Sequence, residues 1–246
     1  MTKKACKKLD VKPILKNKSK QMHNDYGLIP SFPNRCLFIA PTGSGKSVVI
    51  VNLLTRKRCL RNFFDVVSFY SPNVNYEEEH IETKIKNEKA EMKFEEKFKE
   101  KEFGAMVHKL MKEQKELKDK KKPMKKTLIT IDDFASDEKV MKSKTLKDLF
   151  FAGRKCGTCV WITSQHYKIV QPDVRTNAEH LIMFSRQPSS ELKKIAEEMS
   201  IGKYTKKKII EMFDEMSTTD YSFLHYDRKQ PMNERYMMNF ESFMNI

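Results

Sequence analysis

The sequence predicts an α/β fold, with a mostly parallel sheet and helices on both faces. Three observations lead there. Short apolar runs recur along the chain, beginning with Cys36-Leu37-Phe38-Ile39. Segments with helical spacing of apolar residues separate these runs, as parallel strands require for their crossovers. A glycine-rich turn links the first run directly to the first helix. The length, 246 residues, suits one large α/β domain or a domain with an appendage.

Residues 1–24 form a lysine-studded arm with Pro13 and no periodicity, predicted to be flexible, and 25–246 form the domain. Residues 35–40 read as a buried strand. Residues 46–58 read as a helix with Val49, Ile50, Leu53 and Leu54 on one face. A second strand at 64–69 closes on Ser71-Pro72-Asn73. Residues 76–126 change character: Glu and Lys dominate, with Ile81, Ile85, Met92, Phe94, Phe98 and Phe103 spaced among them. The expectation here is a charged helical insertion, interrupted near Gly104 and ended near Pro123. Its lysine cluster (Lys118, Lys120, Lys121, Lys122, Lys125, Lys126) suits either a solvated face or a contact with DNA or another subunit. Strands are then expected at 127–131, 159–163 and 180–184, with closing strands at 221–226 and 236–240 and helices at 145–151 and 190–199.

Lys and Arg number 48 against 33 Asp and Glu, a formal net charge of +15. Such an excess suits a polyanionic partner, although a lysine-rich composition alone also produces it. No apolar run approaches the roughly 18 residues of a membrane span, and the basic N-terminus leads into no signal-peptide core. The cysteines are Cys6, Cys36, Cys59, Cys156 and Cys159. An odd, scattered set of this kind points to a reducing compartment. Cys156-Gly157-Thr158-Cys159 has metal or redox spacing, but a zinc site needs a second ligand pair, and none is evident.

The sharpest signal is Ala40-Pro41-Thr42-Gly43-Ser44-Gly45-Lys46-Ser47, set between the first strand and the first helix. A polyphosphate needs many hydrogen-bond donors held close together, and a glycine-rich turn into a helix supplies backbone N–H groups and the helix dipole. Gly43 and Gly45 permit the tight path, Lys46 reaches the β- and γ-phosphates, and the Ser47 hydroxyl suits Mg²⁺. Pro41, Thr42, Gly43, Ser44, Gly45, Lys46, Ser47 and Val48 are therefore the candidate ATP-binding residues. Ala40 stands where the strict pattern has glycine. A second half-site is Leu128-Ile129-Thr130-Ile131-Asp132-Asp133, an apolar strand ending in paired acids. Asp132 is placed to hold Mg²⁺ and Asp133 to orient or deprotonate water, with a helix N-cap as the plainer alternative. Gln165 lies just past the strand Trp161-Ile162-Thr163, where ligands sit in parallel sheets.

Lys46 and its loop, Ile131-Asp132-Asp133-Phe134, Phe151-Ala152-Gly153-Arg154-Lys155, Thr163-Ser164-Gln165 and Val174-Arg175-Thr176-Asn177 follow in this order. Over residues 33–200 the set resembles the FtsK–HerA superfamily of DNA-pumping ATPases. Within it, the chain looks most like the genome-packaging ATPases of large DNA viruses of the poxvirus type and their virophage relatives. The resemblance implies a RecA-like P-loop NTPase core assembled as a homo-oligomeric ring, hexamer or pentamer, with ATP and Mg²⁺ at subunit interfaces. It implies Asp133 as catalytic acid, Gln165 as nucleotide sensor, and an arginine acting on a neighbour's γ-phosphate, Arg154 first and Arg175 second. Double-stranded DNA and capsid proteins are the partners it implies, in the virion or the cytoplasm of an infected cell. The acid is Asp where the wider family has Glu, as is usual for the viral branch. The expected function is an ATP-driven DNA translocase that packages a genome. A nucleoside or nucleotide kinase would need an arginine-rich lid after the acidic strand, a GTPase an Asn-Lys-x-Asp element, and neither is seen. A nucleotide-regulated DNA-binding or capsid-assembly protein would have no use for the second acid.

Overall fold

The computed structural model describes residues 29–56, 59–75, 90–134 and 137–244. The basic arm at 1–24 and the part of the insertion that carries Ile81 and Ile85 lie outside the described residues. Strand β1 (Arg35–Ile39) leads through the glycine turn to α1 (Lys46–Thr55), followed by β2 (Val66–Tyr70). Next come β3 (Glu91–Glu95), α2 (Glu100–Asp119) and β4 (Thr127–Ile131). Two short helices, α3 (Glu138–Met141) and α4 (Lys144–Ala152), precede β5 (Thr158–Ser164). Helix α5 (Pro172–Asn177), β6 (His180–Phe184), α6 (Ser189–Met199) and α7 (Lys206–Ser217) follow, and β7 (Phe223–Asp227), β8 (Tyr236–Met238) and β9 (Ser242–Phe243) close the chain.

The described strands form one sheet in the order β3-β2-β4-β5-β1-β6-β7-β8-β9. It is parallel from β3 through β6 and antiparallel from β7 onward. The central strands are buried along nearly their whole length and largely apolar because both of their faces are covered. In β1, Cys36 and Phe38 pack towards α1, against Ile50, Leu53, Leu54 and Trp161. Leu37 and Ile39 face the opposite layer, where α2, α4, α6 and α7 contribute Phe103, Leu149, Ile195 and Phe213. Each such fully buried side chain stabilises the fold by about 1.5–3 kcal/mol.

The 76–126 insertion is not all helical. Glu91–Glu95 is an edge strand beside β2, with Met92 and Phe94 half-buried and Glu91, Lys93 and Glu95 exposed. Its Glu and Lys content reads as helix, yet the two apolar residues alternate with period two, and Phe94 stacks on Phe69 at 6.2 Å between ring centroids. Charged outward positions on an edge strand also discourage further pairing. Helix α2 passes through Gly104 without a break, and a Cβ there would meet Thr145 Oγ1 of α4 at 3.5 Å. The glycine marks an inter-helix approach, not a helix end.

Gln114 of α2 is 1% exposed and ties the helix to the segment before β4. Its Nε2 donates to the Lys125 carbonyl at 2.7 Å, and its Oε1 accepts the Lys125 N–H at 3.0 Å. Gln114→Ala strips two backbone groups of their partner and should cost about 2–3 kcal/mol in urea unfolding, with nucleotide affinity unchanged.

Candidate active site

Parallel pairing brings four strand ends level. Tyr70 of β2 pairs with Ile131 of β4, Ile131 with Ile162 of β5, and Ser164 of β5 with Ile39 of β1. The residues just past these ends are Ser71, Asp132-Asp133, Gln165 and the glycine turn, so they meet at the carboxyl edge of the sheet, where open α/β sheets hold ligands. The Ala40 N–H donates to the Ser164 carbonyl at 3.0 Å, joining the loop to β5. Gly43 (φ 75°) and Gly45 (φ 92°) take left-handed conformations that a side chain would strain. Gly45 caps α1, and its carbonyl accepts the Val49 N–H at 3.0 Å, leaving the first-turn N–H groups free to meet an anion.

Lys46 is buried in the first turn of α1, and its Nζ forms an ion pair and hydrogen bond with Asp133 Oδ1. Asp132 is 1% exposed. Its Oδ1 accepts from Thr163 Oγ1 at 2.7 Å and its Oδ2 from Ser71 Oγ at 3.1 Å. The same Thr163 oxygen accepts the Asp133 N–H at 2.8 Å, so one hydroxyl of β5 positions both acids. Asp133 adopts φ 52°, a conformation uncommon outside glycine, which accompanies its turn towards Lys46. Burial pushes the Asp132 carboxyl above the usual carboxylate range, against the opposing pull of Lys46 and the two hydroxyls. On the far side of the turn, Thr42 Oγ1 donates to Gln165 Oε1 at 3.1 Å. Ser47 is half-buried on α1 beside Lys46, and Val48 is exposed. Neither acid serves as a helix N-cap side chain; that of α4 is Ser143.

The two arginines differ. Arg154 lies in a 3-10 turn at the amino end of β5, roughly 20 Å along that strand from Gln165. Gly153 lets this turn hug the strand: a Cβ there would fall 3.3 Å from Leu149 Cδ1 and 3.5 Å from Val160 Cγ2. The Arg154 side chain is 49% exposed and pairs with Glu179. Glu179 also holds Arg35 and Lys229, at 3.4 and 3.2 Å, and these cations keep its carboxyl below the usual range despite burial. Arg175 is buried with every guanidinium nitrogen engaged. Nε and Nη2 donate to Glu198 at 3.1 and 2.7 Å, Nη1 donates to the Val170 carbonyl, and the group lies over the Tyr167 ring at 4.9 Å. Within this chain the Arg175 guanidinium pins α5 to α6, whereas Arg154 keeps half of its side chain exposed. Cys159 is buried in β5 with its thiol pushed up to about 12 by burial, so it is no thiolate at neutral pH.

Residue-type reasoning passed over Ser71 and Glu179. Ser71 follows β2 as Asp132 follows β4, and only the β2–β4 pairing makes them neighbours. Glu179 directly precedes β6, and its cations come from β1, the β5 turn and the segment after β7.

Two stability measurements check this description. Arg175→Ala leaves Glu198 without its main partner and should lose about 3 kcal/mol in chemical unfolding, whereas Arg154→Ala, half-exposed, should lose under about 1 kcal/mol. Asp132 has a folded-state pKa above its unfolded one, so ionising it subtracts stability as pH rises through the carboxylate range. Asp132→Asn should therefore raise the midpoint of thermal unfolding at pH 7, and the gain should vanish below about pH 4, where the unfolded carboxyl is protonated too.

The fold has solved counterparts. The genome packaging NTPase B204 from Sulfolobus turreted icosahedral virus 2, in complex with sulfate, superposes with a TM-score of 0.57 at 18% identity, covering 83% of this chain and 94% of that one. The same protein in complex with ATP-gammaS gives 0.51 at 20% identity, covering 83% and 95%. The cytoplasmic domain of the Thermomonospora curvata type VII secretion ATPase EccC gives 0.54 at 14% identity, covering 80% of this chain and 24% of that one. At such identities the likeness is one of fold. No curated protein matches the chain. The sequence profile described as Poxvirus A32 protein, however, matches residues 23–225, and the chain belongs to that family.

Proposed function

We propose that this chain is an ATP hydrolase that drives double-stranded DNA into a viral capsid. The observation that carries the reading is the second acid. Asp132 alone would serve nucleotide binding, whereas Asp133 reaches the phosphate lysine, as a group acting on the γ-phosphate must. The family, and a fold shared with a genome packaging NTPase, support DNA packaging as the work done.

The phosphates lie on the N–H groups of 43–47, with Lys46 on the β- and γ-oxygens. Lys46 then answers to both phosphate and Asp133, and phosphate binding loosens its hold on the carboxylate. Asp133 accepts a proton from water as the water oxygen bonds to the γ-phosphorus. The bond to the β–γ bridging oxygen breaks, and ADP leaves with that electron pair. Gln165, bonded to Thr42, orients the water or senses the γ-phosphate. Asp132 and Ser47 fit a magnesium ion: both offer hard oxygens, and the buried carboxylate keeps lone pairs beyond those the two hydroxyls occupy. Held by these two residues, a magnesium ion would supply positive charge against the phosphate oxygens. Arg154 stands at the opposite edge of the sheet from its own loop, so it serves a neighbour's γ-phosphate in a ring. The formal charge of +15 supports DNA binding through backbone phosphates, without base reading. Among the described residues no helix is long and apolar enough to cross a membrane.

ATP turnover measured with and without duplex DNA tests the reading. Wild type should be stimulated by DNA, and the stimulation should fall steeply with salt. Asp133→Asn should lose about 10²–10⁴-fold in turnover yet bind ATP at least as tightly, because Lys46 is released. ATP binding without turnover on DNA would reject the motor in favour of a nucleotide-regulated binding protein. Arg154→Ala should lose roughly 10³-fold or more, and mixing it with Asp133→Asn chains should restore part of the activity. No recovery at any ratio would rule out action between subunits.

A further inference from the structure

The lysine cluster that closes the insertion divides in the fold. Lys125 pairs with Glu113 at 3.8 Å, and Lys126 lies over the Phe63 ring at 4.5 Å. Lys118 does neither. With Lys112 and Lys115 it lines a groove of about 530 Å³ between the carboxyl-terminal half of α2, Met124 and the turn before β5, which contributes Lys155. Among the described residues no carboxylate lines this groove. All four lysines are exposed, and among the described residues none of them pairs with an acid. Glu113, which lies between Lys112 and Lys115 in the chain, turns instead to Lys109 and Lys125.

Helix stability does not call for such a row. Like charges three residues apart repel, and the helix dipole favours cations only in the last turn, which holds Lys118. Lys155 comes from a different element altogether. An anion in the groove turns this repulsion into attraction. The row from Lys112 to Lys118 runs about 9 Å along the helix axis, and each strand of a DNA duplex carries a phosphate roughly every 3.4 Å of its axis. Laid along a strand, the row meets about three phosphates in sequence. The walls of the groove are tied together. Gln114 fastens α2 to the Lys125 backbone, and Gly157 closes the turn so near that segment that a Cβ on it would fall 3.2 Å from the Lys125 carbonyl. The same bonds occupy the Gln114 carboxamide, which keeps it from reading a base edge.

We propose that this groove grips the backbone of double-stranded DNA, with Lys112, Lys115 and Lys118 on one side and Lys155 on the other. The proposal rests on the reading of the chain as a DNA-driven ATPase and names the surface that holds the DNA. Lys155 follows Arg154 in the same short turn. DNA held there bears on the turn that presents the arginine, so grip and stimulation meet in one segment.

Duplex binding by the full chain across a salt series, read by fluorescence anisotropy, tests the surface. The triple variant Lys112→Gln, Lys115→Gln, Lys118→Gln should bind DNA roughly tenfold or more weakly, and its slope of log affinity against log salt should be shallower by about 2 to 3. Its melting temperature and its ATP turnover without DNA should hold, while stimulation should need correspondingly more DNA. The triple variant Lys203→Gln, Lys206→Gln, Lys207→Gln removes the same charge outside the groove and should bind as wild type does. Equal weakening by the two triples, or none by the first, overturns the groove and leaves a DNA-stimulated wild type as a motor that holds DNA elsewhere. Loss of polyglutamate binding in the first triple with DNA binding intact overturns it too, in favour of an acidic protein segment. A wild type that binds no duplex overturns both readings.

Discussion

The parallel register of β2, β4, β5 and β1 is the constraint on which the rest of the site depends. Ladder hydrogen bonds set Tyr70 beside Ile131, Ile131 beside Ile162 and Ser164 beside Ile39. Only that alignment lets Thr163 reach Asp132 and the Asp133 N–H together, and lets Ser71 close the other side of the Asp132 carboxylate. A slip of one residue would turn every side chain of a strand to the opposite face. Both faces of these strands are buried, with Leu37 and Ile39 packed in one layer and Cys36 and Phe38 in the other, so a slip would break the contacts of both layers at once.

Strand β5 gives the molecule its polarity. At its carboxyl end stand Thr163 and Gln165, beside the phosphate turn; at its amino end Gly153 presses a tight turn against the strand and presents Arg154. Glu179 gathers Arg154, Arg35 and Lys229 at that amino edge. On the proposed reading a stiff strand links the chemistry of one subunit to the arginine it lends to the next, and a neighbour's phosphate would compete with Glu179 for that arginine.

Much of this was legible because the signals were local. The phosphate turn requires glycines at fixed spacing, and φ of 75° and 92° at Gly43 and Gly45 shows why. Strands at 127–131 and 180–184 follow from short runs in which Leu, Ile, Met and Phe predominate. Strand β3 was hidden: a Glu- and Lys-rich segment carries helical propensity, and only packing of Met92 and Phe94 onto the sheet edge overrides it. Helix α7 has a local signature of its own, since Ile209, Met212, Phe213 and Met216 repeat at helical spacing on one buried face.

The sequence by itself determined the α/β class, the phosphate turn, the paired acids and the order of the motifs, since each is written in a few adjacent residues. Tertiary structure alone decided what those residues do to one another. Arg154 and Arg175 look alike in the chain, and burial beside Glu198 or exposure beside Glu179 separates them. Ser71, Thr163 and Asp132 become one hydrogen-bonded set, and Tyr221 comes to lie against Gly45, through contacts between segments far apart in the chain. Such contacts depend on strand order and register, which no local pattern encodes.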